Sequence, residues 1–415
     1  MHWRRAWTVH SARPDVVRGA QWAPTVVPFE PPGSSAGPAP PGPLPQPVPA
    51  GATFGIEEEF HLVDPETFEL TPSPELCAAA LRGEIGPRIH AEIVTTQLET
   101  VSGVCETLDG LRAEIVAARG EAAKAAARAG VVVLPTSTHP FEGWQQQVIT
   151  PAPRYQAIVD RWAGLASQQD ICGCHVHVGV PDLETAVAVM DRARPYLPVL
   201  LAMTGSSPFH DGVDTGYESF RTLWWGRWPN TGPPEYLGSA ARFEEVVAGM
   251  VASGVIGDRS HLYWDLRPSY HFPTLEFRLA DVCTDVDDAV LHAGLVRSLV
   301  RVLAARAERG EPCPQPRPEF LRAARWRAAR DGIAGELFDP VLGVTVDARL
   351  AVRRLLTELE DDLRAHGEWA EIGELVARLF SRGTSAARQR QIWLRTGDRR
   401  EVAARMVAGG VPGEG

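Results

Sequence analysis

The sequence predicts an α+β fold, and three observations predict it. Segments with two-residue apolar alternation are mixed with segments of helical period, without the strict strand–helix–strand repeat of a parallel sheet. Two β-rich segments, HLYWDLRPSY from His261 and TLEFRLADVC from Thr274, read as a hairpin. About the last hundred residues read as amphipathic, arginine-rich helices.

Taken in order, the chain starts with a stretch that is not domain-like. Pro and Gly dominate Pro28 to Gly51, and such a composition cannot bury enough apolar surface to offset its ordering entropy. Residues 1–52 are expected to be a disordered tail, and 53–415 one catalytic domain. FGIEEEFHLV, from Phe54, reads as a strand with Ile56, Phe60 and Leu62 on one face and Glu57, Glu59 and His61 on the other. IHAEIVTTQLETVSG, from Ile89, reads as one or two further strands. Thr107 is placed to cap a helix that runs to about Gly130. VVVLPTSTHP, from Val131, then reads as a buried strand, and Pro151 to Ser167 as helix.

CGCHVHVGV, from Cys172, is the next expected strand. Asp182 then caps a helix that Pro195 and Pro198 should kink or break. Residues 206–234 read as a long aromatic loop, a candidate cover for a site. Thr284, with Asp287 three residues on, resembles a capping-box start for a helix that sends Val290, Ala293, Leu295, Leu299 and Leu303 to the core.

Composition narrows the function. The net charge is −11 over 415 residues, which argues against non-specific binding to nucleic acid or to an anionic membrane. No apolar run approaches the ~20 residues that span a bilayer. The amino-terminal MHWRRAWTVHSARPDVV has arginines without an apolar core after them and makes a poor secretory signal. Six cysteines are too few for a disulfide scaffold. The expectation is a cytoplasmic protein that handles small molecules.

The chemistry is concentrated on strand faces. Alternation puts Glu57 and Glu59 on one face, about 6.5–7 Å apart, and clustered carboxylates inside an apolar strand call for cations. Glu99 shares a face with Gln97, and Glu92 lies earlier in the same segment. In CGCHVHVGV a zinc reading is tempting, but Cys172 and Cys174 fall with the valines while His175 and His177 share the other face. The cysteines are expected to pack as small hydrophobes, and the histidines to serve as ligands or phosphate contacts. Glu276 and Arg278 face one way, as do Asp265 and Arg267, for which plain cross-strand pairing is the simpler account. If these faces line one cavity, it holds Glu57, Glu59, Glu99, His177, Glu276, Arg267 and Arg278. That donor set suits Mg²⁺ or Mn²⁺ with nucleotide phosphates. The chain contains no Walker A loop, dinucleotide fingerprint or nucleophile elbow.

These motifs resemble the glutamate–cysteine ligase type 2 family of bacterial carboxylate–amine ligases. The residues that carry the resemblance are GIEEEFHLVD, HVHVG, SFRTLWWGRWPNTGPP, DLRPS, TLEFRLADVCTDVDDAV and TSAARQRQIWLRTGD, spread in this order from about residue 53 to the C-terminus. The resemblance implies a glutamine-synthetase-like curved antiparallel sheet whose concave face binds metal and ATP. It also implies phosphorylation of a carboxylate followed by attack of an amine, with L-glutamate and L-cysteine as the default pair. Glu57, Glu59, Glu99, His177 and Glu276 would hold the cations, and Arg278 would contact the transferring phosphate with Arg267 as its catalytic neighbour. Arg221, Arg227 and His175 are the expected nucleotide contacts, and a homodimer is an expected assembly. The alternatives are the same ligation with another acid or amine, a metal-dependent hydrolase built on the histidine pair, and an inactive binding module. The sequence lacks the H-E-x-x-H helix that would favour the hydrolase.

Overall fold

The computed structural model describes residues 49–410. Of the expected tail, residues 1–48 lie outside them. The remaining part is built into the fold, because Gly51 N–H donates to Gly179 O at 2.8 Å and Ala50 packs against the main core.

The centre is a seven-stranded antiparallel sheet. Its first strands are β1 (Phe54–Val63), β2 (Ile89–Ala91), β3 (Gln97–Val101), β4 (Val132–Leu134) and β5 (Gly173–Gly179). Two-residue strands follow, namely β6 (Phe209–His210), β7 (Val213–Asp214), β8 (Thr231–Gly232) and β9 (Tyr263–Trp264). The sheet is completed by β10 (Leu266–Pro268) and β11 (Thr274–Asp281), and runs β10-β11-β5-β1-β3-β2 with β4 also on β1. Helices Leu108–Arg128, Leu183–Ala193 and Val286–Glu308 supply the apolar cover, packing on Ile56, Cys174, Val176, Val178, Leu275 and Phe277. The opposite face carries the polar residues.

Alternation along β1 is fixed by one ion pair. Glu58 and Arg119, the latter from the Leu108–Arg128 helix, are each 1% exposed, and the Nε–Nη2 edge of the guanidinium meets the carboxylate at 2.9 and 2.6 Å. Arg119 also donates to the carbonyls of Cys283, Thr284 and Gly410. With Glu58 drawn to the helical side, Glu57 and Glu59 must face the other way, since neighbouring side chains on a strand alternate.

Several sequence expectations need correction. The segment 206–234 is not a bare loop, for it contains the β6–β7 hairpin, a Phe220–Trp225 helix capped by Ser219, and β8. Asp211 and Gly212 both have positive φ, which is the two-residue turn that an Asp-Gly pair favours. The segment is tied down at Asp281, whose carboxylate accepts from Ser206 N–H and from the Ser207 and Ser219 hydroxyls. It is a wall of the fold. The helix after β11 starts at Val286 with Asp285 in the cap position, because the Thr284 hydroxyl is engaged with Pro135 O at 2.8 Å. The arm HLYWDLRPSY is broken at Asp265, which turns to Arg325 at 2.7 Å and does not share a face with Arg267. A short hairpin, Glu336–Asp339 with Val344–Asp347, interrupts the carboxy-terminal helices.

The Glu58–Arg119 pair generates a test. Arg119→Met leaves a buried carboxylate without its partner and should cost about 3–5 kcal/mol in urea unfolding. A loss below about 1 kcal/mol would show that the pair does not hold β1 in register.

Candidate active site

The strand register brings the predicted residues together. Glu57 is opposite His175, Glu59 is opposite Glu99, Glu276 is opposite His177, and Arg267 is opposite Glu276. The result is one polar patch across β10, β11, β5, β1 and β3.

Its middle is Glu57. One carboxylate oxygen lies 3.2 Å from His175 Nδ1 and the other 3.2 Å from His177 Nε2. His177 Nδ1 is hydrogen-bonded to Thr274 Oγ1 at 2.9 Å, while its buried Nε2 has no aligned hydrogen bond. Glu59 accepts from Gly173 N–H at 2.5 Å, and His175 Nε2 is 3.8 Å from Glu59. A Cβ on Gly173 would stand 2.4 Å from Arg221 Nη2 and 2.9 Å from His175 Nε2, so any larger residue here displaces Arg221 or His175.

At the other end Glu276 is gripped by two arginines. Arg267 meets it edge-on at 3.0 and 3.2 Å, and Arg278 Nη1 pairs with the same carboxylate. Arg267 is otherwise spent on the carbonyls of Ser260 and Leu262. Arg278 keeps its Nε without a partner.

Charge within the patch is unevenly distributed. Burial alone would raise the Glu57 carboxyl, but His177 and His175 overcome it and hold Glu57 well below the ordinary range. Burial likewise opposes ionisation of Glu276, and Arg267 and Arg278 hold it low. Glu99 goes the other way. Burial, then the repulsion of Glu57, Glu92 and Glu59, pushes it well above the ordinary range. Burial and then Glu59 raise Glu92 to about 7. Burial and then Arg278 lower the His175 imidazole, whereas Glu57 and Glu276 raise His177 against the effect of burial.

The donor set fits a hard divalent cation. Two groups of three side chains each offer ligand atoms within 4.8 Å of one another: Glu57, His175 and Glu276, and Glu59, Glu99 and His175. His175, expected as a nucleotide contact, is therefore common to both groups, while His177, opposite Glu276 and 3.2 Å from Glu57, lies in the patch but in neither group. Mutually repelling carboxylates with an unsatisfied imidazole nitrogen beside them are the polar atoms that a cation would satisfy. Cys172 and Cys174 are wholly buried in apolar clusters and belong to neither group.

The other two expected nucleotide contacts, Arg221 and Arg227, are engaged with protein partners. Arg221 donates to the carbonyls of Leu279 and Arg278, behind His175. Arg227 stacks on Trp224, 3.4 Å from the ring centroid, and reaches Gln168. No contact among the described residues joins Arg227 to the carboxylates. The structure also adds residues that sequence reasoning left out of the site. Glu92, Arg154 and Tyr263 all act electrostatically on one another at the edge of the patch. Glu92 was visible as an acid near a strand, but Arg154, on a helix remote in sequence, gave no signal.

The chain is similar to known proteins along most of its length. A family model described as glutamate–cysteine ligase family 2 matches residues 53–407. A protein of Frankia alni provisionally named glutamate–cysteine ligase 2-2 is 43% identical over 83% of this chain and 93% of its own. A similarly named protein of Salinispora tropica is 41% identical over 86% of this chain and 94% of its own. Among solved structures, the glutamate–cysteine ligase of Francisella tularensis in complex with AMP matches with a TM-score of 0.66 and 11% identity, over 87% of this chain and 89% of that one. A bifunctional glutathione synthetase of Pasteurella multocida matches with a TM-score of 0.65 and 15% identity, over 86% of this chain and 52% of that one. At those identities the solved structures speak for the fold.

The cation groups make a measurable claim. Mn²⁺ titrated calorimetrically should bind Glu99→Gln at least about tenfold more weakly than the wild type, and Cys172→Ser with unchanged affinity. Equal affinity in Glu99→Gln would remove Glu99 from the ligand set, and weakened binding in Cys172→Ser would bring the cysteine into it.

Proposed function

The chain belongs to glutamate–cysteine ligase family 2, and on that premise we propose that it joins a carboxylic acid to an amine through an acyl phosphate made with ATP. The observation that carries this reading is the single patch in which Glu57, Glu59, Glu99, His175 and Glu276 stand beside Arg278 on one face of an antiparallel sheet.

Two steps account for the reaction. A carboxylate oxygen of the acid attacks the γ-phosphorus, and ADP leaves with the bond between the β,γ-bridging oxygen and phosphorus broken. The amine nitrogen then attacks the acyl carbon, the C–O bond to phosphate breaks, and a proton leaves the nitrogen. L-Glutamate and L-cysteine are the default pair, by the names of the relatives.

The chain's own residues divide the work. Glu57, Glu59, Glu99, His175 and Glu276 are the proposed holders of Mg²⁺ or Mn²⁺, which when bound would neutralise charge building on the phosphates. Arg278 is the residue proposed to stabilise the equatorial oxygens of the moving phosphoryl group, because its Nε is free and its position is fixed by Glu276. Arg267 is better described as a positioning residue, since its donors are committed to Glu276 and two carbonyls. His177 orients Glu57.

ADP release should require Mg²⁺ or Mn²⁺, ATP, an acid and an amine together. In Arg278→Lys the charge stays but the planar fork is lost. Its kcat should drop at least about tenfold at saturating Mg²⁺, equivalent to about 1.4 kcal/mol of transition-state stabilisation, with little change in KM for ATP. A wild-type kcat in this variant would remove Arg278 from the chemical step.

A further inference from the structure

The polar patch leaves a large concavity of the molecule unused. A cleft of about 460 Å³ opens where the Glu336–Asp347 hairpin meets the Leu197–Met203 and Ala348–Ala365 helices. Small molecules are bound in pockets of roughly 300–1,000 Å³. No residue of the patch lines this cleft. Arg306, which does, stands on the Val286–Glu308 helix, and that helix covers the apolar face of the sheet. The cleft and the carboxylates are therefore on opposite sides of the sheet.

Most of the lining is apolar. Pro198 and Val199 contribute from the helix, Leu337, Leu342 and Val346 from the hairpin, and Leu355 from the Ala348–Ala365 helix. Leu342 and its neighbour Val341 are 61% and 50% exposed. They are not loose. Asp339 Oδ1 accepts from the N–H of Val341 at 2.9 Å and of Leu342 at 3.0 Å, and Gly343 N–H donates to Asp339 O at 2.8 Å. The Phe338 ring, 5.4 Å from that of Phe320, backs the hairpin. A turn fixed by its own hydrogen bonds thus holds two apolar side chains in water at the rim of an apolar cleft, a surface that a bound apolar chain would cover.

Four charged side chains line the cleft, and three of them are engaged. Glu358 accepts from the Tyr196 hydroxyl at 2.6 Å and from Arg306 at 2.9 Å, which settles both members of that pair. Asp339 is tied to the turn. Arg354 is the fourth. Its Nη1 is 3.6 Å from the free oxygen of Asp339, too long for a hydrogen bond, and among the described residues it donates none. Asp339 cannot swing across to close that gap without releasing Val341 and Leu342. The cleft therefore joins apolar walls to one guanidinium fork with donors to spare, and such a fork matches a carboxylate. The net charge of −11 works against an anionic bilayer as the occupant.

We propose that this cleft binds a free aliphatic monocarboxylate, its chain against Leu337, Leu342, Val346 and Leu355 and its carboxylate on Arg354. The site is separate from the ligation reaction and does not depend on that reading.

The test uses decanoate and decylammonium, which share a chain and differ in the sign of the head group. Each is titrated calorimetrically, below micelle formation, into the wild type, Arg354→Gln and Leu342→Ser. Both positions are exposed, and each variant is checked for an unchanged melting temperature. The wild type should bind one decanoate, at least about tenfold more tightly than decylammonium. Arg354→Gln should lose at least about tenfold on decanoate and keep its affinity for decylammonium. Leu342→Ser should weaken both ligands, because it removes wall from the chain and not charge from the head. Saturating Mg²⁺ with ATP should leave the decanoate affinity unchanged. Absence of saturable binding, equal affinity for the two head groups, wild-type decanoate affinity in either variant, or competition by ATP would overturn the site. It is overturned equally by binding only to vesicles of anionic lipid, which gives the surface to a bilayer. A wild-type dimer in sedimentation that Leu342→Ser dissociates, without decanoate binding, gives it to a second copy of the chain and overturns it as well.

Discussion

The buried pair between Glu58 and Arg119 is the constraint on which the rest of the structure depends. A strand of three consecutive glutamates has no intrinsic preference for which acid faces in, since the three side chains are chemically identical. Arg119 breaks that symmetry. Its guanidinium is wholly surrounded by protein and is satisfied by the Glu58 carboxylate and three carbonyls. A slip of one residue would bring Glu57 or Glu59 to Arg119 but turn the other one into the apolar layer without a partner and put Ile56 and Phe60 on the polar face, at a cost of several kcal/mol for the stranded charge alone. The middle glutamate therefore works for the fold, and by doing so it aims its two neighbours at the site.

The polar face has the opposite problem, too many acids in one place. Glu276 is neutralised by Arg267 and Arg278, and Glu57 by the two imidazoles, but Glu99 and Glu92 are left with mutual repulsion. Such a cluster is costly in a protein that only has to fold. Its cost is understandable if folding prepares a place for positive charge brought from outside, because preorganised carboxylates lose no side-chain freedom when a cation arrives. Arg267 and Arg278 are both held on Glu276, at one end of the patch, which leaves Glu59 and Glu99 without an arginine partner among the described residues.

Much of this was legible in the sequence. Alternation in FGIEEEFHLV, CGCHVHVGV and TLEFRLAD placed Glu57, Glu59, His175, His177, Glu276 and Arg278 on one side, and the antiparallel register brought them within reach. The caps at Thr107 and Asp182 were also readable, because both are local hydrogen bonds to a backbone N–H. The failures have local causes. A strand period was carried through Asp265, where a bend resets it, and Thr284 was read as a cap although a residue far away in sequence claims its hydroxyl. The short hairpins were too brief for periodicity to register, although the Asp211-Gly212 pair announced one of them. Arg154 could not be found at all, since it reaches the site by the packing of a helix and carries no pattern of its own.

The contrast between saturated and unsaturated arginines then orders the site from its floor to its mouth. A guanidinium has five N–H donors in a rigid fork. On Arg267 they are largely used by Glu276, Ser260 and Leu262, so that this residue can transmit position but little further binding. On Arg278 part of the fork is used and part is open, which suits a group that must be held still while it meets an oxygen that gains charge during reaction. On Arg154 the fork has no hydrogen-bond partner among the described residues and solvent reaches it, with only the Tyr155 ring beneath it. Fixity and availability compete for the same donors. The gradient from buried and satisfied to exposed and free is therefore a gradient in how many donors each arginine has left to offer a ligand.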